Sequence, residues 1–238
     1  MTTKFTKNLL VCDTTQQACS VSVACKGGVA PVHIYEEIGT GHAEHLPGML
    51  AAALGEAGLT VRDLDAVGVT IGPGTFAGVR VGLAAMRGFV VARKMPIYTV
   101  TGLELMARTH LATATPSGDL PLACVIDARR DQLYMQRFAA DGAPLSEPGV
   151  LPTRQAAATL AVEPHVLIGT GAALVLDQLQ AAADVKAYPK SAVVYPDAVN
   201  MLTLIETAAL VPADRPAPLY LRPPDADPPK QDQRIKRR

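Results

Sequence analysis

Asp13-Thr14-Thr15 sets one carboxylate and two hydroxyls directly behind the apolar run Leu9–Cys12. A strand that ends in such a triplet can hold a magnesium-bound phosphate. The same triplet can equally form a polar turn whose side chains satisfy local amides. A second candidate is Gly72-Pro-Gly-Thr-Phe-Ala-Gly-Val-Arg80. Glycines between a strand and a helix let the backbone approach a ligand, and the helix N-terminus offers free amides to an anion. No Lys-Ser/Thr follows as in a P-loop, and the alternative is a tight strand-to-helix turn. Asp13, Thr14, Gly72 and Gly74 are therefore the candidate, vestigial phosphate-binding set. His42-Ala-Glu-His45 puts two imidazoles three apart, but no third ligand stands nearby, so it reads as a polar helix opening rather than a metal site. The basic run Arg234-Ile-Lys-Arg-Arg238 offers charges to RNA phosphates or to solvent.

The elements that must position these residues follow from periodicity. Leu9–Cys12 is a buried strand. Ala18–Cys25 alternates, Lys26-Gly27-Gly28 turns, and Val29–Ile38 returns, so the chain opens on three antiparallel strands. Leu46, Met49, Leu50, Ala53, Leu54 and Ala57 mark a helix, with Gly58 at the left-handed cap position. Strand Ala66–Ile71 leads through the glycine turn into a helix over Phe76–Arg93. Strand Pro96–Val100 and helix Gly102–Ala112 close the first lobe, residues 1–112. Thr113–Gly118 reads as a loop. The second lobe, 113–222, has paired strands around Asp127–Asp131, a helix over Thr153–Leu160, a strand Val166–Ile168, and helices over Ala172–Ala182 and Asp197–Leu210. Residues 223–238 are rich in proline and charge, the composition of a disordered tail. The order is mixed α/β: two related lobes with a cleft between them.

The helix Phe76–Arg93 carries the most physical information. Phe76, Val79, Met86, Phe89 and Val90 mark one apolar face, and Gly78, Gly82 and Gly88 suggest close backbone approach. Its other side has only Arg80 and Arg87 among Leu83, Ala84 and Val91. A solvent-facing helix should show a broad polar face, so a second chain is expected to cover this one. The alternative is a helix enclosed within its own chain.

Bulk composition narrows the function classes. The 238 residues are 49% apolar, and 22 basic residues balance 22 acidic ones. That balance and 4% aromatics argue against a stand-alone RNA-binding module. Cys12, Cys19, Cys25 and Cys124 form no C-x-x-C pair and read as reduced thiols. No run reaches about 18 apolar residues and Met1–Lys7 lacks a signal-peptide core, so a soluble, cytoplasmic protein without membrane partners is expected.

Leu9–Thr15 with Ala18–Val23, the helix from His42 to Leu50, the long signature Leu64–Gly82, and Leu219-Tyr-Leu-Arg222 together resemble the TsaB (YeaZ) family. The resemblance is strong over residues 8–110 and looser beyond. It implies an actin-like ATPase fold with two ribonuclease-H-like lobes. It also implies a non-catalytic scaffold subunit in the formation of N6-threonylcarbamoyladenosine at position 37 of tRNAs reading codons that start with A. The implied partners are a TsaD-like catalytic subunit and a TsaE-like ATPase, with tRNA reached through the complex and a homodimer when the chain is alone. Helices His42–Ala57 and Phe76–Arg93 would form the interface through His45, Leu46, Met49, Arg80, Leu83, Ala84 and Arg87. Catalytic relatives carry a histidine pair just after the strand that here ends at Val100. This chain reads Thr101-Gly-Leu-Glu-Leu-Met-Ala-Arg-Thr-His110 there, without the pair. Neither catalytic residues nor a metal site are therefore expected, and no cofactor beyond a nucleotide. An actin-fold ATPase or small-molecule kinase using Asp13 is the alternative, and the missing ligand pair weighs against a metalloprotease.

Overall fold

Strand β1 (Leu9–Asp13) is apolar at every position but its last because both of its faces are covered. Leu10 and Cys12 point into one core with helices α1 (His42–Glu56) and α2 (Phe76–Arg93). Leu9 and Val11 point into another with Leu105, Met201 and Ile205. The period of two along the strand thus decides which helix layer each side chain meets. The computed structural model describes residues 4–28, 30–113, 118–181 and 188–222.

β1, β2 (Ala18–Ala24) and β3 (Val32–Glu37) form the expected antiparallel meander, with Asp13 opposite Ser20 and Ser22 opposite His33. β4 (Ala66–Thr70) and β5 (Ile97–Val100) add in parallel, giving the order β3-β2-β1-β4-β5. α1 ends as its sequence requires, with Gly58 at φ +66. The second sheet, in order β8-β7-β6-β9, contains β6 (Leu122–Asp127), β7 (Gln132–Phe138), β8 (Gly149–Pro152) and β9 (Val166–Ile168). Helices α4 (Thr153–Leu160) and α5 (Ala172–Ala181) cover its outer face.

Helix α3 (Gly102–Thr113) joins the two sheets. Leu105 packs into the first sheet's core, while Leu103, Met106 and Ala107 pack on Leu122, Cys124 and Phe138 of the second. Helix α6 (Val199–Glu206) also returns to the first sheet, against β1 and β2. It is shorter than its sequence pattern: Asp197 caps the amide of Val199, and Ala208, at φ 56, turns the chain out. β3 begins at Val32, later than its pattern implies. β8 and a short 3₁₀ turn over Val61–Asp63 had no periodic signal. Much of the expected loop after Thr113 and all of the tail from Pro223 lie outside the described residues. No described helix is long and apolar enough to cross a membrane.

From Pro212 the chain forms a strap over the first sheet. Pro212 bridges Tyr98, Ala213 donates to the Ile97 carbonyl, and Leu219 donates to the Ile71 carbonyl. Arg222 then reaches the second lobe, donating from Nη1 to the Ala128 carbonyl at 2.7 Å.

Candidate functional site

The turn after β1 is packed into the start of α2 at backbone distance. Thr14 Oγ1 donates to the Gly78 carbonyl (2.7 Å) and accepts from the Gly82 amide (3.1 Å), so one hydroxyl is inserted into a turn of the helix. A Cβ at Gly78 would lie 2.0 Å from the Thr14 carbonyl oxygen, and one at Gly74 would lie 2.0 Å from that of Thr15. The glycines of the signature therefore admit the chain's own backbone. Gly88, grouped with them by sequence, has open space around it. At the helix N-terminus the Thr75 amide donates to the Thr15 carbonyl, and Thr75 Oγ1 accepts from the Gly78 amide.

Asp13 is enclosed in the same way. Its carboxylate accepts from Thr70 Oγ1 at 2.8 Å, from Thr15 Oγ1 at 2.9 Å and from the Thr15 amide at 3.1 Å. Burial outweighs these bonds and pushes its pKa up to about 6. Of the four phosphate-set residues, the fold brings all together, but Gly74 alone lines the neighbouring cleft. Asp13, Thr14 and Gly72 are buried beneath it.

That cleft is a cavity of about 710 Å³ between the lobes. Gln16, Gln17, Thr75 and Phe76 line it from the first lobe, Asp127, Arg129, Tyr134 and Thr170 from the second, and Leu219–Arg222 from the strap. Arg129, Arg130 and Asp131 sit consecutively at φ 63, 54 and 56. Left-handed backbone costs about 1 kcal/mol or more at each non-glycine residue, so this turn is a strained wall of the cleft. Asp127 is the one acid among the described lining residues, and its Oδ2 is paired with Arg129 Nη1 at 3.1 Å. The lining can bind and orient a molecule.

His42 and His110 serve packing. His110 is buried on α3, its Nδ1 2.9 Å from Ser191 Oγ, and desolvation lowers its pKa. His42 is buried with Nε2 3.2 Å from the Ala18 carbonyl, while His45 is exposed. Among the described residues no group of three or more His, Cys, Asp or Glu is placed to hold a metal. Sequence reading missed one constellation: Ser22 Oγ lies 2.8 Å from His33 Nδ1, and Asp197 Oδ2 lies 3.2 Å from His33 Nε2. Ser22 is wholly buried. The trio ties β2 and β3 to the start of α6 rather than offering a nucleophile to solvent.

The α1–α2 face divides the predicted interface residues. His45, Arg80, Ala84 and Arg87 are exposed. Leu46, Met49 and Leu83 pack into the chain's own core, and Leu46 also lines the groove between the two helices. The inner face of α2 is Gly78, Val79, Gly82, Leu83 and Met86, whereas Phe76, expected inside, is 49% exposed. The reason is Thr14: a hydroxyl buried against Gly78 and Gly82 fixes which side of the helix turns inward. Beside these residues a groove of about 560 Å³ opens between the helices. Pro47, Leu50 and Ala51 line it on α1, and Val81, Ala85 and Phe89 on α2. Arg80 Nε donates to the Tyr220 hydroxyl at 2.9 Å, and Arg87 donates to the Pro216 carbonyl. The strap thus holds both arginines without covering the groove.

The family model described as "TsaD: tRNA N6-adenosine threonylcarbamoyltransferase" matches residues 13–203. The crystal structure of YeaZ from Pseudomonas aeruginosa superposes with a TM-score of 0.74, at 28% identity, covering 90% of this chain and 100% of that one. The chain belongs to the TsaB (YeaZ) family. TsaB of Escherichia coli, named a tRNA threonylcarbamoyladenosine biosynthesis protein, is 28% identical over 133 residues, 56% of this chain and 55% of that protein. An uncharacterised Mycobacterium tuberculosis protein is 37% identical over 190 residues, 79% of this chain and 78% of its own length. The two mixed sheets and their helices are accordingly the actin-like fold that the TsaB signature implied.

Proposed function

We propose that the chain is a non-catalytic partner subunit in the formation of N6-threonylcarbamoyladenosine on tRNA, acting by docking its α1–α2 face onto a TsaD-like threonylcarbamoyltransferase. The supporting observation is the apolar groove between α1 and α2, flanked by exposed Ala84 and by Arg80 and Arg87. Soluble proteins seldom leave such a surface uncovered, and an apolar centre with arginines at its rim suits a protein interface. The named relatives support this reading: TsaB proteins are named as biosynthesis proteins of this modification, and a threonylcarbamoyltransferase of Rhodospirillum rubrum is 41% identical over 88 residues, 37% of this chain and 23% of that protein. Shared ancestry gives the two chains like surfaces that can pair pseudo-symmetrically. A TsaE-like ATPase completes the assembly, tRNA is modified on the catalytic partner, and a second copy takes the face when that partner is missing.

Ala84→Glu tests this reading. Ala84 is exposed in the single chain, so the substitution leaves folding intact while placing an unpaired carboxylate in the interface. Binding to the purified threonylcarbamoyltransferase should weaken at least tenfold, and reconstituted tRNA modification should fall with it. Unchanged co-purification at unchanged thermal stability would refute the docking face. The cleft favours a second reading, an ATPase or small-molecule kinase that binds nucleotide. Steady ATP turnover by the chain alone would establish it.

A further inference from the structure

The end of the strap belongs to two places at once. Leu219–Arg222 line the cleft, while Pro216 and Tyr220 hold the two arginines beside the groove. The strap lies on the turn before α2 at backbone distance: a Cβ at Gly72 would come within 3.1 Å of the Leu219 carbonyl oxygen. Tyr220 stacks on Phe76 at 5.3 Å between centroids and 29° between planes, and the Arg80 guanidinium carbon sits 3.4 Å over the Phe76 centroid. Two residues on, Arg222 donates to the Ala128 carbonyl of the second lobe, beside the strained turn Arg129–Asp131. A continuous line of contacts thus runs from the second lobe, across the mouth of the cleft, to α2. Pro212, Pro216 and Pro218 fix φ at three positions of the strap, so a displacement at Arg222 is passed along it rather than absorbed locally. Phe76 and Tyr220 are 49% and 44% exposed, and Arg80 and Arg87 make their strap contacts at the surface. Contacts of that kind open at lower cost than a core.

We infer that the strap is a two-state tie that couples the cleft between the lobes to the docking face. Seated, Arg222 holds the second lobe, Tyr220 and Pro216 fix Arg80 and Arg87 at the rim of the groove, and the partner meets an ordered surface. Released from Ala128, the strap gives up Tyr220. Both arginines must then be ordered when the partner binds, which lowers affinity. The cleft sets this equilibrium, because Leu219–Arg222 and the Asp127–Arg129 wall meet there. A molecule in the cleft that keeps Arg222 on Ala128 favours docking, and one that displaces it disfavours docking. Docking changes the affinity for that molecule by the same factor. The effect on docking rests on the function proposed above; the tie from Arg222 to Arg80 does not.

Arg222→Ala tests the tie at a position that lines the cleft and not the groove. In the chain alone, nuclear magnetic resonance reads the Arg80 Nε proton, which is bonded to the Tyr220 hydroxyl. Its exchange with water should become at least about fivefold faster in the variant. Titration calorimetry with the purified threonylcarbamoyltransferase should show docking weaker by about three- to tenfold. Tyr220→Phe keeps the ring on Phe76 and removes the acceptor of Arg80. In that background Arg222→Ala should lose most of its effect on docking, since two steps of one relay do not add. Unchanged exchange of the Arg80 proton in Arg222→Ala would overturn the proposal. So would parental docking affinity in a variant whose Arg80 proton has lost its protection, or full additivity with Tyr220→Phe. Ala84→Glu keeps the two readings apart. Unchanged partner binding in that variant refutes the docking face, whereas the exchange measurement needs no partner and decides the tie.

Discussion

Replacing Asp13 by Asn separates an internal strut from a ligand of a phosphate-bound metal. The buried carboxyl titrates near 6 against an ordinary value of 3.8. The folded chain therefore holds this proton to higher pH than the unfolded chain does. The sign follows: the group costs nothing differential below 3.8, stability falls as pH rises from 3.8 through about 6, and the cost is constant above that. The displacement corresponds to about 3 kcal/mol. Asn removes the charge, but its amide replaces one charge-assisted acceptor facing Thr15 and Thr70, which returns roughly 1 kcal/mol. A net gain of about 1–2 kcal/mol at pH 8 is expected, or a Tm higher by roughly 2–8 °C in a chain of this size. Differential scanning calorimetry between pH 4 and pH 8 reads it, with the two proteins converging at the acid end. A variant less stable than the parent at every pH would refute the account of an over-buried carboxylate. Loss of ATP turnover in the variant, in a parent that has such turnover, would return Asp13 to a catalytic role.

Three further outcomes follow from local packing. Gly78→Ala, whose Cβ would meet the Thr14 carbonyl at 2.0 Å, should cost about 2–4 kcal/mol by urea unfolding. Gly88→Ala, in open space on the same helix, should gain about 1 kcal/mol. Burial holds His110 below its ordinary 6.5, so the unfolded chain takes up a proton first and stability falls as pH drops through 6.5. His110→Gln should flatten that part of the urea-midpoint profile.

The signals legible in the sequence were those fixed by local chemistry. Gly58 marked the end of α1, Lys26–Gly28 marked the β2–β3 turn, and the long apolar run of α2 gave that helix its observed limits. Periodicity could not say which side of α2 faces inward. Its faces differ little in hydropathy, and the choice is made by Thr14, 64 positions from Gly78. Leu83 on α2, like Leu46 and Met49 on α1, packs into the chain's own core, because an apolar residue carries no label for core or interface. The phosphate set had the right neighbours, and spacing could not show that Gly74 and Gly78 lie against the Thr15 and Thr14 carbonyls, since glycines that admit a ligand's phosphate admit a neighbouring carbonyl just as well. The Phe76–Tyr220 stack and the Ser22–His33–Asp197 trio join distant positions, and pairings of that kind leave no trace in spacing.

The enclosed turn bears directly on docking. An interface helix that must be ordered on binding loses affinity to that ordering. Here α2 is fixed before any partner arrives: Thr14 is inserted at Gly78 and Gly82, Thr15 and Thr75 close its first turn, and Arg80 and Arg87 are held by the strap. Thr14, Thr15 and Thr75 set the position of the groove wall formed by Val81, Ala85 and Phe89. Gly78→Ala should therefore weaken partner binding beyond what its loss of stability explains, measured by titration calorimetry at a temperature where the variant is fully folded. Full affinity in that folded variant would show that the groove does not depend on the turn beneath it.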